Sequence, residues 1–356
     1  MSVVTNRTAC ALGSHRVLEP AGALPQSAWK IDNDPHAFEN EILCDVECSN
    51  VDSASFRQIS EAAGGDETRI SETIRATVEA RGKQHNPVTG SGGMFIGRVA
   101  EVGSALRGRI ALQPGDRIAS LVSLSLTPLH IQSIDRVDVA TGRVWITGRA
   151  VLFESGIWAK LPDDITTDVA LATLDVAGAP AQVRRITRPG QTVAIIGADG
   201  KSGMLSCAQA KARVGAKGRV VGIVPDASTE SAKLLQRTGL VDDLIELDAR
   251  QPVEVHRAVG QRIPDLADLT VNCVNVPGTE LSSILCTKQH GTVYFFSMST
   301  SFTAAALGAE GVGKDVTMIV GNGYAEGHAE TALQTLRDNP EVHAYFNRRF
   351  ASSTAL

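Results

Sequence analysis

The spacing of apolar residues gives the chain two different rhythms. Residues 1–40 are punctuated by Gly13, Pro20, Gly22, Pro25 and Pro35, which predicts short strands and turns. Glu41–Asn50 reads as a strand. Beyond the turn at 50–55, Ile70, Ile74 and Val78 recur at helical spacing and predict a helix over Glu67–Arg81. Gly90, Gly92, Gly93 and Gly97 then surround a strand that continues through Arg98–Val102. Gln113–Ile118 turns into another, and short strands follow around Val144–Ile146 and Ile157–Lys160. Many short strands with Gly/Pro turns predict a small β-rich domain of barrel type, ended by Leu161–Ile165.

From Asp168 the rhythm becomes helix and strand in alternation. Strands are expected at Thr192–Ile196, Arg219–Val224, Asp243–Glu246, Leu269–Cys273, Thr292–Phe296 and Val316–Val320. Such alternation requires parallel strands joined by right-handed crossovers, a doubly wound sheet. The tail, Gly327–Phe350, reads as helical with a break at Pro340.

The stretch with the clearest chemistry is Gln191–Gly203. An apolar strand runs into Gly197, Gly200 and Gly203 and then into a helix-forming segment, which is the first turn of a dinucleotide-binding unit. The spacing departs from Gly-x-Gly-x-x-Gly, and a structural glycine turn is the plainer alternative. Ser202 and Lys201 are candidate phosphate contacts, whereas Asp199 would repel a pyrophosphate unless it pointed away. The acid expected near the end of the next strand, where it would bind ribose hydroxyls, is displaced: Val224 holds the usual place and Asp226 follows Pro225. Lys233 and Arg237 lie farther on, away from the place where a 2′-phosphate finds its cation. Asn275 and Ser297 follow apolar strands at the carboxyl edge and could line the nicotinamide side, although small polar residues there are also routine turn-formers.

Composition narrows the class without naming a reaction. The 356 residues suggest two domains, with 43% hydrophobic and 21% charged residues, as in soluble globular proteins. A formal charge of −5 and no basic cluster argue against a nucleic-acid partner. No apolar run reaches membrane-span length, and the first ten residues lack the pattern of a signal peptide, so the expectation is no membrane partner and a cytoplasmic location. The six cysteines are expected to be reduced and mostly buried. Cys44 and Cys48 could start a zinc site, but no second ligand pair has suitable spacing.

Pro114–Arg117, Leu161–Ile165 and the glycine turn, in this order and at these separations, resemble the medium-chain dehydrogenase/reductase superfamily. The resemblance implies an α/β chain: a GroES-like β-barrel domain over 1–170, completed by a C-terminal return at 322–356, and a doubly wound parallel Rossmann domain over 171–321. Longer stretches, Gly13–Pro20, Asn50–Phe56 and His85–Met94, resemble the L-erythro-3,5-diaminohexanoate dehydrogenases of lysine fermentation. That likeness implies oxidative deamination of the 3-amino group to 5-amino-3-oxohexanoate and ammonia, with a small diamino acid as substrate and NAD as first expectation, NADP remaining open. The superfamily also implies a homodimer joined at sheet edges, which would cover the uncharged strand Val316–Val320.

Zinc-dependent members of the superfamily carry metal ligands at places that here read as Asp52, Gly92-Gly93-Met94 and Asp175. Without an imidazole or thiolate in that set, no metal is expected. Asp52 and Asp175 are instead candidates for holding the substrate amines, because carboxylates make charge-assisted bonds to ammonium groups. Each could equally cap a turn or face solvent. Hydride loss from the carbon requires a neutral amine, hence a base. His85 is the titrating candidate, with Glu154 a weaker alternative. Arg57, Lys83, Ser53 and Ser91 are possible partners for the substrate carboxylate, and the sequence does not choose among them. Two other readings remain: a zinc-free enone or quinone reductase, and a cofactor-binding protein without catalysis.

Overall fold

A computed structural model describes residues 4–5, 8–51, 53–86, 92–139, 141–321 and 323–351. Internal contacts divide the chain into two units, 1–161 and 162–356.

The first unit is built on a six-stranded antiparallel sheet. Its strands are β1 (Glu41–Asn50), β2 (Met94–Val102), β3 (Arg117–Ser120), β4 (Leu129–Asp138), β5 (Arg143–Phe153) and β6 (Trp158–Lys160), in the order β6-β3-β2-β1-β5-β4. β1 lies between β2 and β5, and its apolar residues are buried on both faces of the sheet while Asp45 stays exposed. Ile42, Cys44 and Val46 enter the main core, whereas Leu43 packs with Ala37 and Val151. Two helices follow β1: α1 (Ser53–Ala62) and α2 (Glu67–Arg81). The Asp66 carboxylate caps α2 by accepting from the Arg69 N–H at 2.9 Å, and Ile70, Ile74 and Val78 turn into the core as their spacing predicted. Gly82 ends α2 at φ +72°, where an added Cβ would lie 2.0 Å from the Ile31 carbonyl oxygen.

The hairpin of β4 and β5 is much longer than the short strand expected around Val144–Ile146. Its charged face concealed it: the Arg136 guanidinium stacks 3.4 Å over the Trp145 ring, a cross-strand contact that hydrophobic alternation alone does not register. The N-terminal arm does consist of short strands and turns. It is pinned by Arg16, which is buried and donates to Glu41 through Nε (2.9 Å) and Nη2 (2.7 Å) and to the carbonyls of Asp34 and His36. Burial alone would raise the Glu41 carboxyl, but the hydrogen bonds from Arg16 and His15 bring it down to about 2.

The second unit is the doubly wound sheet. Helices α3 (Thr167–Leu174) and α4 (Gly178–Ile186) lead to β7 (Thr192–Ile196), α5 (Lys201–Val214), β8 (Arg219–Val224), α6 (Glu230–Arg237), β9 (Asp243–Glu246), α7 (Pro252–Arg262) and β10 (Ala267–Asn272). Then come α8 (Glu280–Cys286), β11 (Thr287–Phe295), α9 (Phe302–Gly311), β12 (Thr317–Val320), α10 (His328–Asp338) and α11 (Pro340–Phe350). All six strands are parallel, in the order β9-β8-β7-β10-β11-β12, which places the topological switch between β7 and β10. β11 begins earlier than expected because a register shift near Ala267 lets Thr287 pair before the main ladder starts at Thr292.

Two expected domain boundaries differ from what is observed. The division falls after Leu161 instead of at 170, and 322–356 groups with the second unit, not with the first. The physical reason is packing. Ala329, Ala332, Leu336, Val342 and Phe346 are buried as α10 lies on α3, α4 and α5, and as α11 lies on α3 and α6. Arg337 clamps Asp164 with bonds of 2.7 and 2.9 Å, and Gln209 donates to Thr335 at 2.7 Å. Among the described residues no helix is long and apolar enough to cross a membrane.

Candidate functional site

The glycine turn in the second unit is shaped by backbone proximity. Gly197 adopts φ +77°, and a Cβ on Gly203 would lie 2.0 Å from the Gly197 carbonyl oxygen. These two glycines therefore let α5 close onto β7. Gly200 is different: it caps α5 at φ −76°, ψ 168°, and a Cβ there would meet nothing nearer than 3.6 Å. Its lack of a side chain leaves the N-terminus of α5 open, where unpaired N–H groups can take a phosphate. Ser202, expected as a phosphate contact, is buried.

Beside the turn is a cavity of about 410 Å³. Gly197, Val224, Pro225, Leu247, Ala249 and Val274 form apolar walls, and Asp248 and Arg250 line it as a closed ion pair of 2.7 Å. Its size and character suit a flat heteroaromatic ring. The segment 247–250 and Val274 were missed in sequence because they lie on loops with no periodic pattern. Asp226 is exposed, and one carboxylate oxygen accepts from the Ser228 N–H at 2.7 Å. The Ser228 hydroxyl and N–H together hold the carboxyl below its ordinary value. Ile196 and Ile223 are paired in the β7–β8 ladder, so Asp199 and Asp226 each follow a paired residue by three positions. Burial raises the Asp199 carboxyl, and the Asp226 charge raises it further.

Asn275 and Ser297 come together at the carboxyl edge. Ser299 donates to the Asn275 side chain at 2.9 Å, and the Ser297 hydroxyl accepts from the Ser299 N–H at 3.1 Å. Beneath them the buried Asn272 amide donates to Thr279 and Ser283 and accepts from the Val274 N–H at 3.0 Å, bracing the loop that carries Asn275. Asp175 ends α3, and its carboxylate accepts from Lys201 Nζ at 2.7 Å. The carboxylate expected to hold a substrate amine thus has a protein partner on α5. It also gives Lys201 a protein partner.

In the first unit three separately noted stretches converge. A Cβ on Gly92 would lie 2.3 Å from the Gln84 carbonyl oxygen, and one on Gly93 would lie 2.0 Å from that of Asn50. Residues 50–51, 84–85 and 92–93 thus share one corner. Asp52 and Ser91 lie outside the described residues, as does the side chain of Ser53, the first residue of α1. His85 is half-buried. Burial, with the charges of Arg81 and Lys83, pushes its imidazole down to about 4. The expectation of a histidine titrating near neutral pH is therefore corrected: His85 is neutral there.

The other candidates have structural partners. Lys83 is fully buried and donates to the Pro25 carbonyl at 2.6 Å. Glu154 accepts from Asn40 at 3.0 Å and pairs with Arg109 at 2.8 Å, and these bonds lower its carboxyl. Arg57 is exposed on α1. A separate cavity of about 310 Å³, lined by Asp45, His130, Gln132 and Arg149, contains none of the expected residues. All six cysteines are free, and no group of three or more potential metal ligands occurs among the described residues.

Residues 15–162 match the family model of the L-erythro-3,5-diaminohexanoate dehydrogenase N-terminal domain. The chain is 56% identical over 342 residues to the L-erythro-3,5-diaminohexanoate dehydrogenase of Acetoanaerobium sticklandii, covering 96% of this chain and 99% of that one. It is 52% identical over 339 residues to the enzyme of the same name from Fusobacterium nucleatum, covering 95% and 98%. Among solved structures it is similar to a quinone oxidoreductase of Pseudomonas syringae pv. Tomato, with TM-score 0.51, 17% identity and coverage of 91% and 86%. A mycobacterial quinone oxidoreductase gives 0.51 and 16%, with coverage of 88% and 82%. At these identities the likeness shows the shared fold, a GroES-like domain with a Rossmann domain, and nothing of substrate.

Proposed function

The chain belongs to the L-erythro-3,5-diaminohexanoate dehydrogenase family, and we propose that it oxidises the C3 amine of that diamino acid with a nicotinamide dinucleotide. In the balanced reaction the 3-ammonium acid, NAD⁺ and water give 5-amino-3-oxohexanoate, ammonium, NADH and a proton. The observation that carries this reading is 56% identity across 96% of the chain.

The second unit's residues fit the cofactor. The opening at Gly200 leaves the α5 N–H groups free for the pyrophosphate, and the apolar cavity beside Gly197 and Pro225 takes the adenine. When bound, the dinucleotide supplies the hydride acceptor. Asp226, with Asp199 beside it, is suited to ribose hydroxyls and would repel a 2′-phosphate, which favours NAD over NADP. Asn275 and Ser297 serve the nicotinamide side. Lys201, held by Asp175, is fixed at the start of α5, so Asp175 acts as its positioning partner.

In the first unit, Asp52 pairs with a substrate ammonium. His85, uncharged near neutrality, accepts through its imidazole from the water that adds to the oxidised carbon. The assembly we propose is a homodimer. Among the described residues β12 is an edge strand paired with β11, and Val320 (66% exposed) leaves apolar surface at that edge.

The test follows NADH absorbance and ammonia release with L-erythro-3,5-diaminohexanoate and NAD or NADP, with quinone plus NADH in parallel. Amine-dependent NADH formation with equimolar ammonia is expected. Quinone reduction without amine oxidation would refute the reading.

A further inference from the structure

Resting on that reading, the structure assigns the substrate's carboxylate to Arg81: we propose that Arg81, at the end of α2, is the anion anchor that orients the amino acid in the first unit. Arginine is rarely buried without a partner, because removing its charge from water must be offset by an acceptor. Arg16 obeys that rule, with two bonds to Glu41 and two to carbonyls. Arg81 does not. It is 7% exposed, has no carboxylate partner among the described residues, and makes only a 3.5 Å contact from Nη1 to the His85 carbonyl. Its guanidinium stacks 3.8 Å from the Trp29 ring centroid, which fixes its plane but supplies no counter-charge.

The surrounding polar atoms point the same way. Of the buried side-chain N and O atoms without a hydrogen-bond partner in the first unit, three lie in one five-residue run: Arg81 Nε, Gln84 Oε1 and His85 Nδ1. Gln84 is only 2% exposed. Such clustering marks a place where a ligand completes the bonding. Charge selects which ligand. Arg81 and Lys83 are both cationic and act on His85, whereas no acidic residue acts on either group among the described residues. An ammonium would be repelled there, and a carboxylate would receive charge-assisted bonds. The Gln84 amide, turned by half a rotation about its last bond, presents N–H to the same anion. Lys83 is not the anchor, since its Nζ is tied to the Pro25 and Gln26 carbonyls. The turn at Gly82 brings His85 back beside Arg81.

The experiment compares wild type, Arg81→Gln and Arg81→Lys in the full chain, with L-erythro-3,5-diaminohexanoate and its C1 carboxamide at saturating NAD. Wild type should prefer the acid by about 30-fold or more in kcat/KM. Arg81→Gln should reduce that preference to about 3-fold or less, with KM for NAD within about twofold, and Arg81→Lys should retain an intermediate preference. A parallel calorimetric titration uses 3-hydroxybutanoate and its amide in the presence of NADH, and needs no turnover. Acid binding that is lost in Arg81→Gln sustains the anchor even if the diamine is not oxidised, an outcome that would sink only the substrate reading. Should Arg81→Gln fail to fold, Arg81→Lys decides, by at least about a fivefold fall in preference. An undiminished preference for the acid in the folded variants, or a wild type that treats acid and amide alike, overturns the proposal.

Discussion

Gly203→Ala and Gly200→Ala should separate packing from ligand binding within one turn of chain. At Gly203 the new Cβ would sit 2.0 Å from the Gly197 carbonyl oxygen and 2.8 Å from the Ala198 Cα, both backbone atoms that cannot swing aside. Overpacking of this kind costs about 3 kcal/mol, set against about 1 kcal/mol gained in helix propensity. The net loss of about 2 kcal/mol corresponds to a fall of roughly 4–8 °C in Tm for a unit of this size. At Gly200 the backbone is extended and the nearest atom is 3.6 Å away, so alanine should leave Tm within about 2 °C. Gly200→Ala should nevertheless weaken NADH binding by about tenfold or more, because its methyl group occupies the approach of the pyrophosphate to α5. Thermal unfolding by circular dichroism and NADH fluorescence titration read the two effects. A Gly200→Ala protein that binds NADH normally would refute the assignment of that glycine to the phosphate, and a fully stable Gly203→Ala would refute the packing argument.

Three further outcomes are expected. Glu41 has its folded pKa depressed from 4.5 to about 2, so its contribution is present above pH 4.5 and lost as pH falls toward 2. That contribution is about 3 kcal/mol, and Glu41→Gln should flatten the acid limb of stability measured by urea unfolding. For His85, the folded pKa of about 4 lies below the ordinary 6.5. The unfolded chain thus binds the extra proton first, and stability falls as pH drops from about 6.5 to 4. In the NMR titration its ring signals should move near pH 4, and a midpoint above 6 would contradict the burial argument. Asp175→Asn breaks a partly exposed pair with Lys201 and should change stability by less than about 1 kcal/mol. Steady-state kinetics should show KM rising more for the dinucleotide than for the diamine, and the opposite split would return Asp175 to the substrate.

The glycine turn and the alternating second half were legible because each is a local pattern: glycines at a strand end, and apolar runs whose period switches from two to about 3.6. The helix over Glu67–Arg81 was read from Ile70, Ile74 and Val78 alone, and it is present with those bounds. The β4–β5 hairpin was less visible, since its stability depends on cross-strand contacts such as Arg136 on Trp145. Asp175 and Lys201 were each noticed, but their pairing could not be, because 26 residues separate them and only the folding of the second unit closes the distance.

By itself the sequence determined the two architectures, the dinucleotide turn and the family, since all three reside in short-range order of residue types. The tertiary structure decided what the charged groups do. It held His85 uncharged near neutrality by burial and the charges of Arg81 and Lys83, gave Lys83 and Glu154 protein partners, and left Arg81 buried with no carboxylate partner among the described residues. The reason is that a side chain's charge state and availability depend on which distant segments pack around it, and that environment is created only by folding.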